Sequence, residues 1–173
     1  MPGFEELRAT KFTKTVHSDV YPAIDPSRPE LNQAGKTVLV PGGGTGVGFA
    51  IAAAFVRAGA ERVIIMSRRA NVLAAAASKL EDAAKSSGAS SKILYRTCDV
   101  DKREEVGALW QWLADEGIVV HVMIAQFAPT KPLLEFGTDG VWSQFETNVK
   151  SQLLFAEKLN AQADNSQRVS DVV

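Results

Sequence analysis

The chain has 173 residues, 46% hydrophobic and 23% charged, ordinary values for a soluble globular protein able to bury a core within one domain. Its formal charge of −1 gives no electrostatic basis for binding nucleic acid or an anionic membrane surface. One cysteine, Cys98, excludes an intrachain disulfide framework and a multi-cysteine zinc site, and with only two histidines, His17 and His121, no metal centre is expected.

Residues 1–14 mix Glu5, Glu6, Arg8 and Lys11 without the apolar core of a secretory signal. No stretch reaches the ~20 consecutive apolar residues of a membrane span. A cytoplasmic protein with no membrane partner is expected. Residues 1–34 hold Pro2, Pro22, Pro26 and Pro29, four of the seven prolines, which favour extended or turn backbone. They read either as an arm anchored on the domain surface by Phe12, Val16, Tyr21 and Ile24, or as a disordered tail. Residues 35–173 read as the domain proper.

Residues 36–40 form a first β-branched strand, and residues 46–58 a helix with Val47, Ile51 and Phe55 on one stripe, stopped by Gly59 as a left-handed cap. Residues 62–66, Arg-Val-Ile-Ile-Met, do not alternate and read as a strand buried on both faces. An alanine-rich helix over 71–86 ends near Gly88, and residues 92–97 form a third strand. Asp101 with Glu104 resembles a capping box for a helix carrying Val106, Leu109, Trp110 and Leu113. A fourth strand is expected over 118–124. A long helix follows over 139–163, with Val141, Phe145, Val149, Leu153 and Leu154 inward; residues 168–173 are a candidate start for a fifth strand. Packing is the default reading for Trp110, Trp112 and Trp142, a small buried hydrophobe for Cys98, and a satisfied core or edge residue for His121.

Between the first strand and the first helix lies Pro41-Gly42-Gly43-Gly44-Thr45-Gly46-Val47-Gly48. Glycines there let the backbone turn tightly and approach a ligand, while the helix N–H groups and dipole face an anion such as a dinucleotide pyrophosphate. A glycine turn in this place, followed by alternating strands and helices, predicts an α/β, Rossmann-like doubly wound parallel sheet of order 3-2-1-4, with room for a fifth strand.

From about residue 36 to residue 166 the chain resembles the short-chain dehydrogenase/reductase family. The family's Thr-Gly-x-x-x-Gly-x-Gly motif is matched by Gly42, Gly46 and Gly48, with Pro41 at the threonine position. Asp99-Val100 matches the aspartate that contacts the adenine ring, and Asn148 the asparagine of the catalytic tetrad. The resemblance implies cofactor contacts from Gly42, Gly44, Thr45, Gly46, Val47, Gly48, Ser67, Arg68, Asp99, Val100 and Gln126. Where NAD-binding relatives carry an acid on the ribose, this chain has Ser67-Arg68-Arg69. Ser67 can donate a hydrogen bond and Arg68 can pair with a 2′-phosphate, which favours NADP(H) over NAD(H). The alternative leaves Arg68 and Arg69 as a solvated helix entrance.

The sequence departs from the family pattern at three places. Ala125-Gln126-Phe127-Ala128 stands where the family has Asn-Asn-Ala-Gly, and Pro41 brings neither a backbone N–H nor a hydroxyl. The family's Tyr-x-x-x-Lys pair is absent: the residues four beyond Tyr21 and Tyr95 are Asp25 and Asp99. The resemblance implies carbonyl reduction or secondary-alcohol oxidation on a small molecule, such as a biosynthetic tailoring step, with the chain inactive alone. The competing expectations are a non-catalytic dinucleotide-binding or interaction module, or a truncated product without independent function. Apolar surface left uncovered by missing strands predicts partner dependence, and an oligomer is compatible with it.

Overall fold

The computed structural model describes His17, residues 19–124, Glu135 and residues 137–162. Strands β1 (Thr37–Pro41), β2 (Arg62–Ser67), β3 (Lys92–Thr97) and β4 (Val122–Met123) form one parallel sheet in the order β3-β2-β1-β4. Helix α1 (Gly46–Arg57) joins β1 to β2, α2 (Ala70–Ser87) joins β2 to β3, and α3 (Arg103–Asp115) follows β3. Beyond β4, α4 (Gly137–Phe145) runs through a π turn (Glu146–Lys150) into α5 (Ser151–Asn160). The doubly wound α/β sheet and its 3-2-1-4 order are as the sequence predicts. Phe12, Val16, Gln126 and the candidate fifth strand at 168–173 lie outside the described residues.

The two central strands are buried on both faces, which is why neither shows the alternation of a half-exposed strand. Val38, Val40, Val63 and Ile65 point to one face and pack with Ala52 and Val56 of α1 and Leu73, Ala76, Ala77, Leu80 and Ala84 of α2. Leu39, Ile64 and Met66 point to the other, against Val106, Leu109, Trp110 and Leu113 of α3 and Phe155 of α5. Each of the fully buried large side chains contributes roughly 1.5–3 kcal/mol. Alanines on α1 and α2 let those helices lie close to the sheet. Gly59 (φ 76°) ends α1 in the left-handed conformation, as expected, and Gly88 (φ 70°), where the second helix was expected to end, does the same for α2.

Several expectations need correction. The fully buried residues of α1 are Gly48, Ala52 and Val56; of the expected stripe Ile51 and Phe55 are partly buried against the core, whereas Val47 is 64% exposed. Strand β4 pairs over two residues, extended only by the His121 N–H to Thr37 O and Ile124 N–H to Leu39 O hydrogen bonds. The long helix is interrupted by its π turn. Phe155 and Ser151 are its buried residues, while Trp142, Phe145, Val149 and Leu153 face outward. Trp142 is therefore not a packing residue among those described, although Trp110 is. In the N-terminal segment two single 3₁₀ turns, Pro22–Ile24 and Pro29–Leu31, bury no side chain. Ile24 is exposed, and this stretch is held by polar contacts instead: Arg57 with Asp25 at 2.9 Å and Gln33 N–H to Ala58 O at 2.8 Å.

Candidate functional site

Parallel strands end together, so β1, β2 and β3 bring their carboxyl ends to one edge. Gly42 N–H donates to Met66 O (2.8 Å) and Cys98 N–H to Ser67 O (3.0 Å), which sets Gly42, Ser67 and Cys98 side by side, with Asp99 next along the chain. The strand order reverses between β1 and β4, the place where open α/β sheets receive ligands.

Pro41 is the last residue of β1 and is buried. Alternation points its missing N–H away from β2, so the β1–β2 ladder continues unbroken through Gly42. The turn that follows is tight enough to dictate its glycines. A Cβ on Gly48 would lie 2.3 Å from the Gly42 carbonyl oxygen, and Gly46 sits at φ 56° with open space around it. Thr45 is the N-cap of α1, but its side chain makes no capping hydrogen bond. The first amides of α1 thus receive no side-chain acceptor from their own cap, which leaves an anion as a suitable partner. Gly44 is buried beside β2, where an added Cβ would lie 3.5 Å from Ser67 Oγ. Thr45, Gly46 and Val47 are exposed at the mouth of the turn.

Ser67 is half-buried and its Oγ accepts from Arg69 N–H at 3.4 Å. Arg68 is exposed, and among the described residues it makes no ion pair. Asp99 and Val100 are half-buried at the end of β3. Asp99 N–H donates to Glu105 Oε2 (2.8 Å), and Glu105 is paired with Lys102 at 2.9 Å. The Lys102 side chain, then the Asp99 amide, hold the Glu105 carboxyl below its ordinary range. Burial, with the negative charges of Glu105 and Asp99, pushes the Cys98 thiol up to about 12. A thiol so protonated is a poor nucleophile, in keeping with its place in the core.

The expected capping box is not formed. Helix α3 begins at Arg103, its N-cap is Lys102, and the acid that reaches back is Glu105, not Glu104. Asp101 turns the other way and accepts from Thr147 Oγ1 (2.8 Å) and Ser151 Oγ (3.3 Å). Both hydroxyls flank Asn148, which lies half-buried in the π turn with its Nδ2 donating to Gln144 O at 2.9 Å. Glu105, Asp101, Thr147 and Ser151 are thus parts of the site's frame that sequence reasoning missed. Only the Asp-rich loop after β3 hinted at them. His121 Nδ1 accepts from Thr37 N–H (3.1 Å), the satisfied role expected of it.

With this geometry in view, residues 36–171 match the short chain dehydrogenase family profile. The chain belongs to that family. The chain is 33% identical over 149 residues to a "Short chain dehydrogenase/reductase" of Claviceps purpurea, covering 86% of this chain and 49% of that one. Its fold is similar to that of the citronellol catabolism dehydrogenase AtuB of Pseudomonas aeruginosa PAO1, at a TM-score of 0.62 and 28% identity, over 76% of this chain and 52% of that one. The Pseudomonas aeruginosa RhlG/NADP active-site complex gives a TM-score of 0.65 at 24% identity, over 77% and 50%, a likeness of fold. The chain spans about half the length of these relatives. Among the described residues no helix is long and apolar enough to cross a membrane.

Proposed function

We propose that the chain supplies the NADP(H)-binding half of an oxidoreductase acting between a carbonyl and a secondary alcohol on a small molecule. The observation that carries this reading is the turn itself: Gly48 packs so closely on Gly42 that no side chain fits, directly before a helix whose first amides lack a side-chain cap. A pyrophosphate fits such a cradle, taking hydrogen bonds from the amides of Gly46, Val47 and Gly48. Ser67 and the unpaired Arg68 are at the end of β2, where a 2′-phosphate would accept from both. Asp99 and Val100 would take the adenine side, and Gln126 would contribute one polar contact. When bound, the dinucleotide supplies or accepts the hydride; the protein's task is to hold and orient it.

Asn148 is the tetrad position represented here. The chain's two tyrosines, Tyr21 and Tyr95, are followed four residues on by aspartates, so neither forms the tyrosine–lysine pair that moves a proton at the substrate oxygen. A positioned acid contributes roughly 10²–10⁴-fold. On this reading the 173-residue chain by itself binds NADPH and shows no measurable turnover. A fluorescence titration with NADPH and NADH, followed by a carbonyl panel, tests both parts. Absence of NADPH binding would overturn the cofactor reading, and clear turnover would overturn the assignment of inactivity. Arg68→Asp is expected to weaken NADPH binding by about 10-fold or more while sparing NADH, the loss of a charge-assisted phosphate contact; an unchanged preference would remove Arg68 from the phosphate site.

A further inference from the structure

We propose that Asp101 is a positioning residue that clasps the adenine-side loop to the helical turn carrying Asn148, an inference that rests on the cofactor reading above. The loop after β3 is tied to itself by Asp101 N–H donating to Asp99 Oδ1 at 3.2 Å, and to α3 by Asp99 N–H donating to Glu105. Its third tie leaves the loop altogether. Asp101 Oδ1 accepts from Thr147 Oγ1 and Ser151 Oγ, 46 and 50 residues away in sequence. Ionised, the carboxylate can only accept, so it takes both hydroxyls without competing for an acceptor.

The geometry on the helix side favours a clasp over an incidental surface contact. Thr147 and Ser151 lie on either side of Asn148, and Ser151 is 5% exposed, so one of the two hydroxyls is held within the packed structure. Ser151 Oγ also lies 3.2 Å from Glu146 O, the carbonyl that the π turn bonds to Ser151 N–H. The single Ser151 hydroxyl proton is therefore divided between the π turn and Asp101, joining the shape of the turn to the position of the loop. Helix α3 does without an Asp101 cap, since its N-cap Lys102 makes no side-chain capping bond. Asp101 thus serves the junction between elements and not the helix it precedes. The consequence is mechanical coupling: holding the adenine side steadies the segment that carries Asn148, and the reverse.

The test uses the full chain with Asp101→Ala, Thr147→Val and Asp101→Asn, read by amide hydrogen exchange, thermal melting and NADPH titration. Asp101→Ala is expected to raise exchange in residues 99–102 and in 146–151 together, and to weaken NADPH binding by about 3- to 10-fold, the worth of one or two hydrogen bonds. Thr147→Val should reproduce much of this, the double variant should be no worse than Asp101→Ala, and Asp101→Asn, which keeps an acceptor oxygen, should restore most of it. Exchange raised only in 99–102 overturns the clasp, whatever the binding result. Lower melting temperature with NADPH affinity unchanged in both variants would reduce Asp101 to a structural contact and also overturn it. If the unsubstituted chain fails to bind NADPH, the cofactor reading falls, while the exchange pattern still decides whether the clasp exists.

Discussion

Gly48 and Gly42 touch where the turn after β1 folds back on itself, and that contact makes a single methyl group decisive. A Cβ on Gly48 would meet the Gly42 carbonyl oxygen at 2.3 Å and its carbon at 2.8 Å, backbone atoms that cannot rotate aside. Gly48→Ala is therefore expected to destabilise the chain by about 1–3 kcal/mol through overpacking. It should also reduce NADPH affinity by more than the stability loss explains, because the first turn of α1 must move. Paired denaturation and titration measurements check this; native stability and affinity in Gly48→Ala would show that the turn has more room than its contacts suggest. Cys98, by contrast, has no such leverage: buried among Leu39, Ile64 and Met66, it packs as a small hydrophobe.

Helix α3 illustrates how an element recruits its neighbours. Its first turn carries Glu104 and Glu105, and only Glu105 reaches back, to the Asp99 amide and Lys102. These partners stabilise the charged carboxylate, so its pKa falls below the ordinary 4.5. A carboxylate with a depressed folded pKa adds stability above its unfolded value and loses it as pH falls through the folded one. The stability difference between the unsubstituted chain and Glu105→Gln should therefore be greatest above pH 4.5 and shrink steadily below it. A difference that stays constant through acid titration would mean that the charge of Glu105 is not what holds the loop. Helices α4 and α5 make a second point. A π turn between them shifts the phase of the apolar stripe, so that Phe155 enters the core while Val149 and Leu153 turn outward.

Across the whole molecule, the two layers flanking the sheet are unequally complete among the described residues. On one face α1 and α2 cover β1, β2 and β3 with a continuous core; on the other, Trp110 of α3 lies against Phe155 of α5, ring centroids 6.4 Å apart. Trp142, Phe145, Val149 and Leu153, 66%, 56%, 49% and 62% exposed, leave an apolar stripe on the solvent side of the last helices. Such a stripe favours association. The chain alone is expected to self-associate as its concentration rises, and Trp142→Glu with Leu153→Glu should return it toward a monomer in light scattering. A monomer at all concentrations, unchanged by these substitutions, would remove the stripe as a contact surface.

The strand order, the left-handed cap at Gly59 and the glycine turn could be read from residues alone because each depends on local chemistry: non-alternating β-branched runs, glycine where φ is positive, and short crossovers with one favoured hand. The faces of α1 and of the last helices could not. Both sides of those helices carry apolar residues, and periodicity cannot say which side another element will cover; Val47 and Phe145 read as inward and stand exposed. Asp101 shows the same limit for polar groups. Its position before a helix suggested a cap, a local role, whereas packing brought Thr147 from 46 residues away to within 2.8 Å. Tertiary contact decided that pairing, since a side-chain acceptor takes whichever donor the folded chain sets beside it.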